Sequence, residues 1–150
     1  MDSFLAEVKH NLENLSRFDR VRVVIGNEAC DLDSTVSAVT YAYYLHSKHQ
    51  REVTASGSGR ETTLTVPVLN INENQFRLRT ETTYFFKKCQ IDAPHLVFKD
   101  QIDFRSLNED NKLLISLVDH NVLTGEQTVY EHCVTEVIDH HVRERTPDDR

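Results

Sequence analysis

The sequence predicts an α/β fold, a mostly parallel sheet with helices on both faces. Two observations carry this. Short, near-continuous apolar runs, Val21–Ile25, Lys112–Val118 and Val134–Ile138, alternate with stretches of helical periodicity. Strands this apolar are buried on both sides, as in a parallel sheet covered by helices; a half-solvated antiparallel sheet would alternate polar and apolar residues.

From Ser3 to Arg17, Phe4, Leu5, Val8, Leu12 and Leu15 recur at spacings of three and four, the stripe of an amphipathic helix. Val21–Ile25 is a strand closed by Gly26. A helix starts at Asp33 or Ser34, either of which can cap it, and runs through Val36, Ala38, Val39, Tyr41, Ala42, Tyr43 and Leu45. Tyr41, Tyr43 and Tyr44 read as core or interface aromatics. Lys48 to Thr63 is rich in Ser and Thr and holds two of the four glycines, so it reads as a loop, with residues 51–63 a flexible insertion. Leu64–Ile71 is the next strand, and Pro67 places it at an edge or a bulge. Thr80 to Gln90 suits a helix whose Lys87 and Lys88 form a solvated face. His95–Phe98 suits a short strand, Phe104–Asn108 a brief helix or turn, and Thr124 to His132 a helical segment between the last two strands. Residues 142–150 form a polar tail.

With 150 residues, 39% apolar and 27% charged, and only 4 Gly and 3 Pro, the chain suits one domain with a real core. Seventeen Lys and Arg against 24 Asp and Glu give a formal charge of −7. Such a surface repels nucleic acid and anionic membranes, so neither is an expected partner. No apolar run approaches the roughly 20 residues that cross a bilayer, and the N-terminus lacks a basic segment before an apolar one, so a soluble, cytoplasmic protein is expected. Cys30, Cys89 and Cys133 are odd in number and irregular in spacing, which fits neither a disulfide framework nor a zinc site.

Three clusters follow strands. Asp31-Leu32-Asp33-Ser34 comes after the first, Asp119-His120-Asn121 after Lys112–Val118, and Asp139-His140-His141 after Val134–Ile138. In α/β sheets, ligands bind outside the carboxyl ends of strands. Asp-x-Asp-Ser before a helix is also ordinary capping, and a single Asp-His pair is more often a solvated loop. Three such clusters at one rim point to metal. Mixed Asp and His ligation favours Mn²⁺ or Mg²⁺, with Co²⁺ a further candidate, over structural zinc, which prefers thiolates. The chemistry supported is two-metal hydrolysis, in which an activated water attacks phosphorus.

In order and spacing, these three motifs resemble the DHH phosphoesterase superfamily. The text Gly26 to Ala38, GNEACDLDSTVSA, followed by Val66 to Ile71, VPVLNI, is similar to its Prune and short-chain exopolyphosphatase branch. The resemblance implies a Rossmann-like fold and a manganese- or magnesium-dependent phosphohydrolase acting on inorganic polyphosphate or short phosphoanhydrides, with cyclic-nucleotide phosphodiesterase activity a lesser expectation. It implies that Asp31 binds one metal, Asp33 the other, and Asp119 bridges them. It makes His140 a ligand, sets His141 beside it against substrate phosphate, and lets Asp139 orient an imidazole. Where most of the superfamily has a ligand histidine, this chain has Asn27, as in the exopolyphosphatase branch; a turn-forming role is its alternative.

The superfamily also carries a fourth metal motif and a C-terminal domain that clamps substrate. The expectation is that this chain holds the N-terminal part of a DHH domain without either, and that Asp148 and Asp149 do not replace the missing ligand. Two readings therefore stay open. One is an exopolyphosphatase-type enzyme with two ions. The other is a truncated isoform, weak or inactive in catalysis and holding a single ion, that acts as a metal- or protein-binding module through an exposed sheet edge. Arg143 and Arg145 follow the triplet closely enough to touch an anion, and are equally explained as tail charges.

Overall fold

A computed structural model describes residues 1–56 and 61–142. The polar tail beyond Val142, with Arg143, Arg145, Asp148 and Asp149, lies outside the described residues, as do residues 57–60 of the expected insertion.

The chain runs α1 (Asp2–Asn11), β1 (Arg20–Ile25), α2 (Leu32–Ser56), β2 (Thr63–Val68), α3 (Thr80–Lys88), α4 (Phe104–Glu109), β3 (Leu113–Val118) and β4 (Val134–Ile138), with 3-10 segments between several of them. The four strands form one parallel sheet in the order β2-β1-β3-β4. β1 is central: Val23 lies opposite Val66 on one side and Ile115 on the other, and Val21, Val23, Val24 and Ile25 are buried. This is the α/β architecture predicted, with a parallel sheet whose central strand buries Val21, Val23, Val24 and Ile25.

Chain order and spatial order diverge at β1. β2 lies to one side of it, β3 and β4 to the other, so the loops leaving β1 and β3 run apart and open a crevice at their carboxyl ends. Residues just after Ile25 and Val118 therefore face one another across that crevice.

Phe4 of α1 packs edge-on against Tyr43 of α2, with ring centroids 5.5 Å apart, and beside His46 at 4.9 Å. A polar row crosses the sheet beneath α2. Arg22 donates to Ser116 Oγ at 3.0 Å and Thr135 Oγ1 at 3.1 Å, Ser116 donates to Glu136 Oε2 at 3.2 Å, and Tyr41 donates to Glu136 Oε1 at 2.7 Å. Among the described residues every buried side-chain nitrogen or oxygen has a partner. No helix among them is long and apolar enough to cross a membrane.

Several expectations need correction. α2 does not stop near Leu45; it continues to Ser56, so residues 51–56 of the expected insertion are helical and Thr63 opens β2. No proline interrupts this stretch, and contacts one turn apart support it: Gln50 Nε2 lies 2.9 Å from His46 Nε2, and Thr54 Oγ1 donates to Gln50 O at 2.8 Å. The cap is Asp31 rather than Asp33 or Ser34, because Asp31 O accepts from Thr35 N at 3.1 Å while Asp31 Oδ1 faces Ser34 N at 3.4 Å. His95–Phe98 is no strand. Its turn contains Pro94, and only one parallel bridge, Leu69 to Phe98, joins it to the chain after β2. The first amphipathic segment is an α-helix only to Asn11; a 3-10 stretch with a kink at Asn14 completes it. Pro67 does lie on an edge strand, where its missing N–H is tolerated. β4 forms the other edge, and Val137 and Ile138 on it are nearly half exposed.

Candidate metal centre

The loop after β1 is shaped by a close approach. A Cβ on Gly26 would sit 2.0 Å from Ser34 Oγ and 3.0 Å from Ser34 O, so only glycine lets the start of α2 press against the end of β1. The buried Ser34 hydroxyl then accepts from Asn27 N at 2.8 Å, and Asn70 Nδ2 donates to Gly26 O at 2.9 Å. Asn27 folds the turn by accepting Cys30 N at its Oδ1, 3.0 Å away, and Cys30 takes a left-handed conformation at φ +49°. The turn delivers Asp31 as the helix cap and Asp33 in the first turn of α2.

Asp119 ends β3 in the left-handed region as well, at φ +60°, an arrangement costly for a residue with a Cβ and held by surrounding bonds. Its N–H donates to Ile138 O at 2.9 Å, which ties it to β4. Its buried carboxylate accepts from Asn27 Nδ2 at 2.9 Å on Oδ2 and from His140 Nε2 at 3.1 Å on Oδ1. After β4, the Asp139 carboxylate accepts from His141 Nδ1 at 2.7 Å and from Asn121 Nδ2 at 2.5 Å. The rings of His140 and His141 lie 4.1 Å apart.

The six predicted site residues therefore meet at one rim. Ligand atoms of Asp31, Asp33 and Asp119 lie within 4.8 Å of one another, and so do those of Asp119, His140 and His141. Asp119 belongs to both groups. Asn27 closes its own turn on Cys30 and donates to Asp119 at the same time. His141 belongs with Asp119 and His140 to one of these groups. His120 does not join; its Nδ1 lies 3.0 Å from Val118 O.

Electrostatics suit a cation. Burial, and then Asp33 beside it, pushes the Asp31 carboxyl above the usual carboxylate range. Burial would also raise Asp139, but the hydrogen bonds from His141 and Asn121 outweigh it and hold that carboxyl down at about 2. Asp139 in turn raises His141 above the ordinary imidazole value. Hard oxygen donors dominate one group and imidazoles the other, so these residues fit divalent ions.

A cleft of about 450 Å³ opens beside the rim, lined by Ser37, Thr40, Tyr41 and Tyr44 of α2 together with Asp119 and His140. A further group, Asp2, Asp92 and His95, is elsewhere and internally bonded: Asp2 Oδ1 accepts from His95 Nδ1 at 2.9 Å and from Asp92 N at 3.0 Å, joining α1 to the turn before Leu96. Sequence reasoning missed the part of Ser34 in shaping the loop and that of Asn121 in holding Asp139. The glycine directly after β1 was the available signal for the first; the second needs the adjacency of β3 and β4.

Comparison with known proteins agrees with this geometry. The model of the DHH family, N-terminal domain, matches residues 22–150. Human "Exopolyphosphatase PRUNE1" is 41% identical over 120 residues, 80% of this chain and 24% of that protein. Mouse "Protein prune homolog 2" is 37% identical over 138 residues, 92% of this chain and 4% of that protein. A "Putative exopolyphosphatase" of Schizosaccharomyces pombe is 32% identical over 135 residues, 87% of this chain and 31% of that protein. The chain thus spans about a quarter of the length of the human exopolyphosphatase it matches. With a parallel sheet, three strand-end motifs meeting at its rim and a family model that covers all three, the chain belongs to the DHH family.

Proposed function

We propose that this chain carries the metal-binding half of an exopolyphosphatase-type phosphohydrolase, which uses Mn²⁺ or Mg²⁺ to cleave phosphoanhydride bonds of inorganic polyphosphate. The observation that supports this best is the place of Asp119 in both ligand groups, as a carboxylate bridging two ions would have. In this reading Asp31 and Asp33 each anchor one ion, Asp119 is shared, and His140 completes the set. Two divalent ions held there would supply a water of lowered pKa and positive charge against the phosphoryl oxygens.

The chain's own residues do the positioning. Asn27 fixes the Oδ2 edge of Asp119 through its 2.9 Å bond, so that carboxylate needs no reorganisation when an ion arrives. Asp139 accepts from His141 Nδ1, which leaves Nε2 as the nitrogen that hydrogen-bonds a substrate phosphate oxygen. The charge of the ions also offsets the acidic surface that would repel a polyanion. The test is phosphate release from short polyphosphate with Mn²⁺, compared between the wild type and Asp119→Ala. Release only by the wild type is expected; equal rates would remove catalysis by this centre.

A second reading is a metal-binding interaction module without turnover. The exposed Val137 and Ile138 on the free edge of β4 favour it, since such an edge accepts another strand. Metal binding with no phosphate release from any polyphosphate length would select it over the first.

A further inference from the structure

We propose that Arg79 binds a phosphate group of the substrate at the Asp31 side of the metal centre. The inference deepens the phosphohydrolase reading and rests on it. Arg79 sits between the 3-10 segment that follows β2 and the start of α3. Its backbone is fixed there: its N–H donates to Phe76 O and its carbonyl accepts from Thr83 N, each at 2.9 Å. The half-buried side chain reaches back to the loop after β1, and Nε donates to Ala29 O at 2.8 Å. Arg79 and Asp31 then line one cleft of about 240 Å³, together with Ala29, Leu32, Thr80 and the carboxylate-bearing Glu81.

Two features make this more than a loop clamp. The bond to Ala29 engages only Nε, and among the described residues no hydrogen bond or ion pair occupies the two terminal nitrogens. A guanidinium held by one nitrogen presents the other two as a rigid fork, the geometry that matches phosphate oxygens. The second is location. Other cations lie at clefts away from the centre: Arg77 and Lys87 line one, Lys99 and Arg105 another, Arg22 and Lys48 a third, and none of these contains a member of the three-aspartate group. Lys88 is spent over the Tyr84 ring, 5.4 Å from its centroid. In a chain of net charge −7, Arg79 is, among the described residues, a fixed cation that shares a cleft with Asp31.

The test uses the chain loaded with Mg²⁺ and titrated calorimetrically with tripolyphosphate, in the wild type, Arg79→Gln and Arg79→Lys. A hydrogen-bonded charge is worth about ten- to hundredfold in affinity, so Arg79→Gln is expected to weaken tripolyphosphate by at least about tenfold. Mg²⁺ affinity should stay within about twofold, and Arg79→Lys should recover part of the loss. Unchanged tripolyphosphate affinity in Arg79→Gln would overturn the proposal. So would an equal fall in Mg²⁺ affinity, which would make Arg79 a support of the Asp31 loop alone. Failure of the wild type to bind tripolyphosphate at all would overturn the phosphohydrolase reading and this one with it.

Discussion

Asn27 Nδ2 donates to Asp119 Oδ2 at 2.9 Å, and this bond joins the loop after β1 to the end of β3 across the crevice where the candidate metal ligands meet. Two residues 92 positions apart are thus held in register by an amide that also closes its own turn on Cys30. Removing the amide takes the donor from the buried Asp119 Oδ2, while Cys30 N keeps only its 3.2 Å bond to Asn27 O. Asn27→Ala should therefore lose about 1–3 kcal/mol of stability in urea denaturation. Asn27→Asp keeps the turn oxygen but sets a carboxylate against Asp119, so it should be less stable without metal and gain more from Mn²⁺ than the wild type does.

Gly26 has no room for a methyl group. Gly26→Ala must push Ser34 and the start of α2 away, at a cost of about 1–3 kcal/mol. Because Asp31 and Asp33 ride on that segment, Mn²⁺ affinity should fall as well. A variant with wild-type melting temperature and metal affinity would show that the contact between β1 and α2 is looser than the geometry states.

The three-aspartate group should separate stability from binding. Asp31 is raised by burial and then by its neighbour Asp33, so neutralising it relieves repulsion in the metal-free protein. Asp31→Asn is expected to melt higher than the wild type without metal. It should also bind Mn²⁺ roughly 100-fold more weakly, the upper end of what loss of even a supporting residue costs a metal site. Lower stability without metal would mean that the capping bond of Asp31 outweighs the charge it brings.

Asp2 supplies a pH dependence remote from the metal. The hydrogen bond from His95, then that from Asp92 N, holds its carboxyl below the usual range. A depressed carboxylate stabilises the fold above the unfolded value of about 3.9, and that contribution is lost as pH falls through the lowered folded value. Asp2→Asn should thus be slightly less stable than the wild type at pH 7, and the gap should close toward pH 3. A gap independent of pH would assign the loss to packing of α1. The side chain is about a third exposed, so the effect is small.

The strand-end clusters were legible in the sequence because two local signals coincide: an apolar run that reads as a parallel strand, and polar metal-capable residues in the loop that follows it. In a parallel sheet all such positions share one rim, so Asp31, Asp119 and His140 could be placed together without knowing the strand order. Contacts set by strand order were not legible. Asn121 meets Asp139 only because β3 and β4 are neighbours, and Arg79 meets Ala29 only because the chain after β2 returns past β1. The length of α2 was hidden by composition: Ser, Thr and Gly near its end suggest a loop, yet an uninterrupted N–H ladder and contacts one turn apart carry the helix to Ser56. His95–Phe98 misled in the opposite direction, since apolar residues after Pro94 pack into the core from a turn rather than from a strand.

The central claim is that Asp119 is common to two metal positions. Calorimetric titration of Mn²⁺ into the wild type, Asp119→Ala, Asp31→Asn and His140→Ala tests it directly. The account predicts two ions for the wild type, loss of one position in each of Asp31→Asn and His140→Ala, and loss of both in Asp119→Ala. An Asp119→Ala variant that is folded and still binds Mn²⁺ with wild-type stoichiometry and affinity would contradict it.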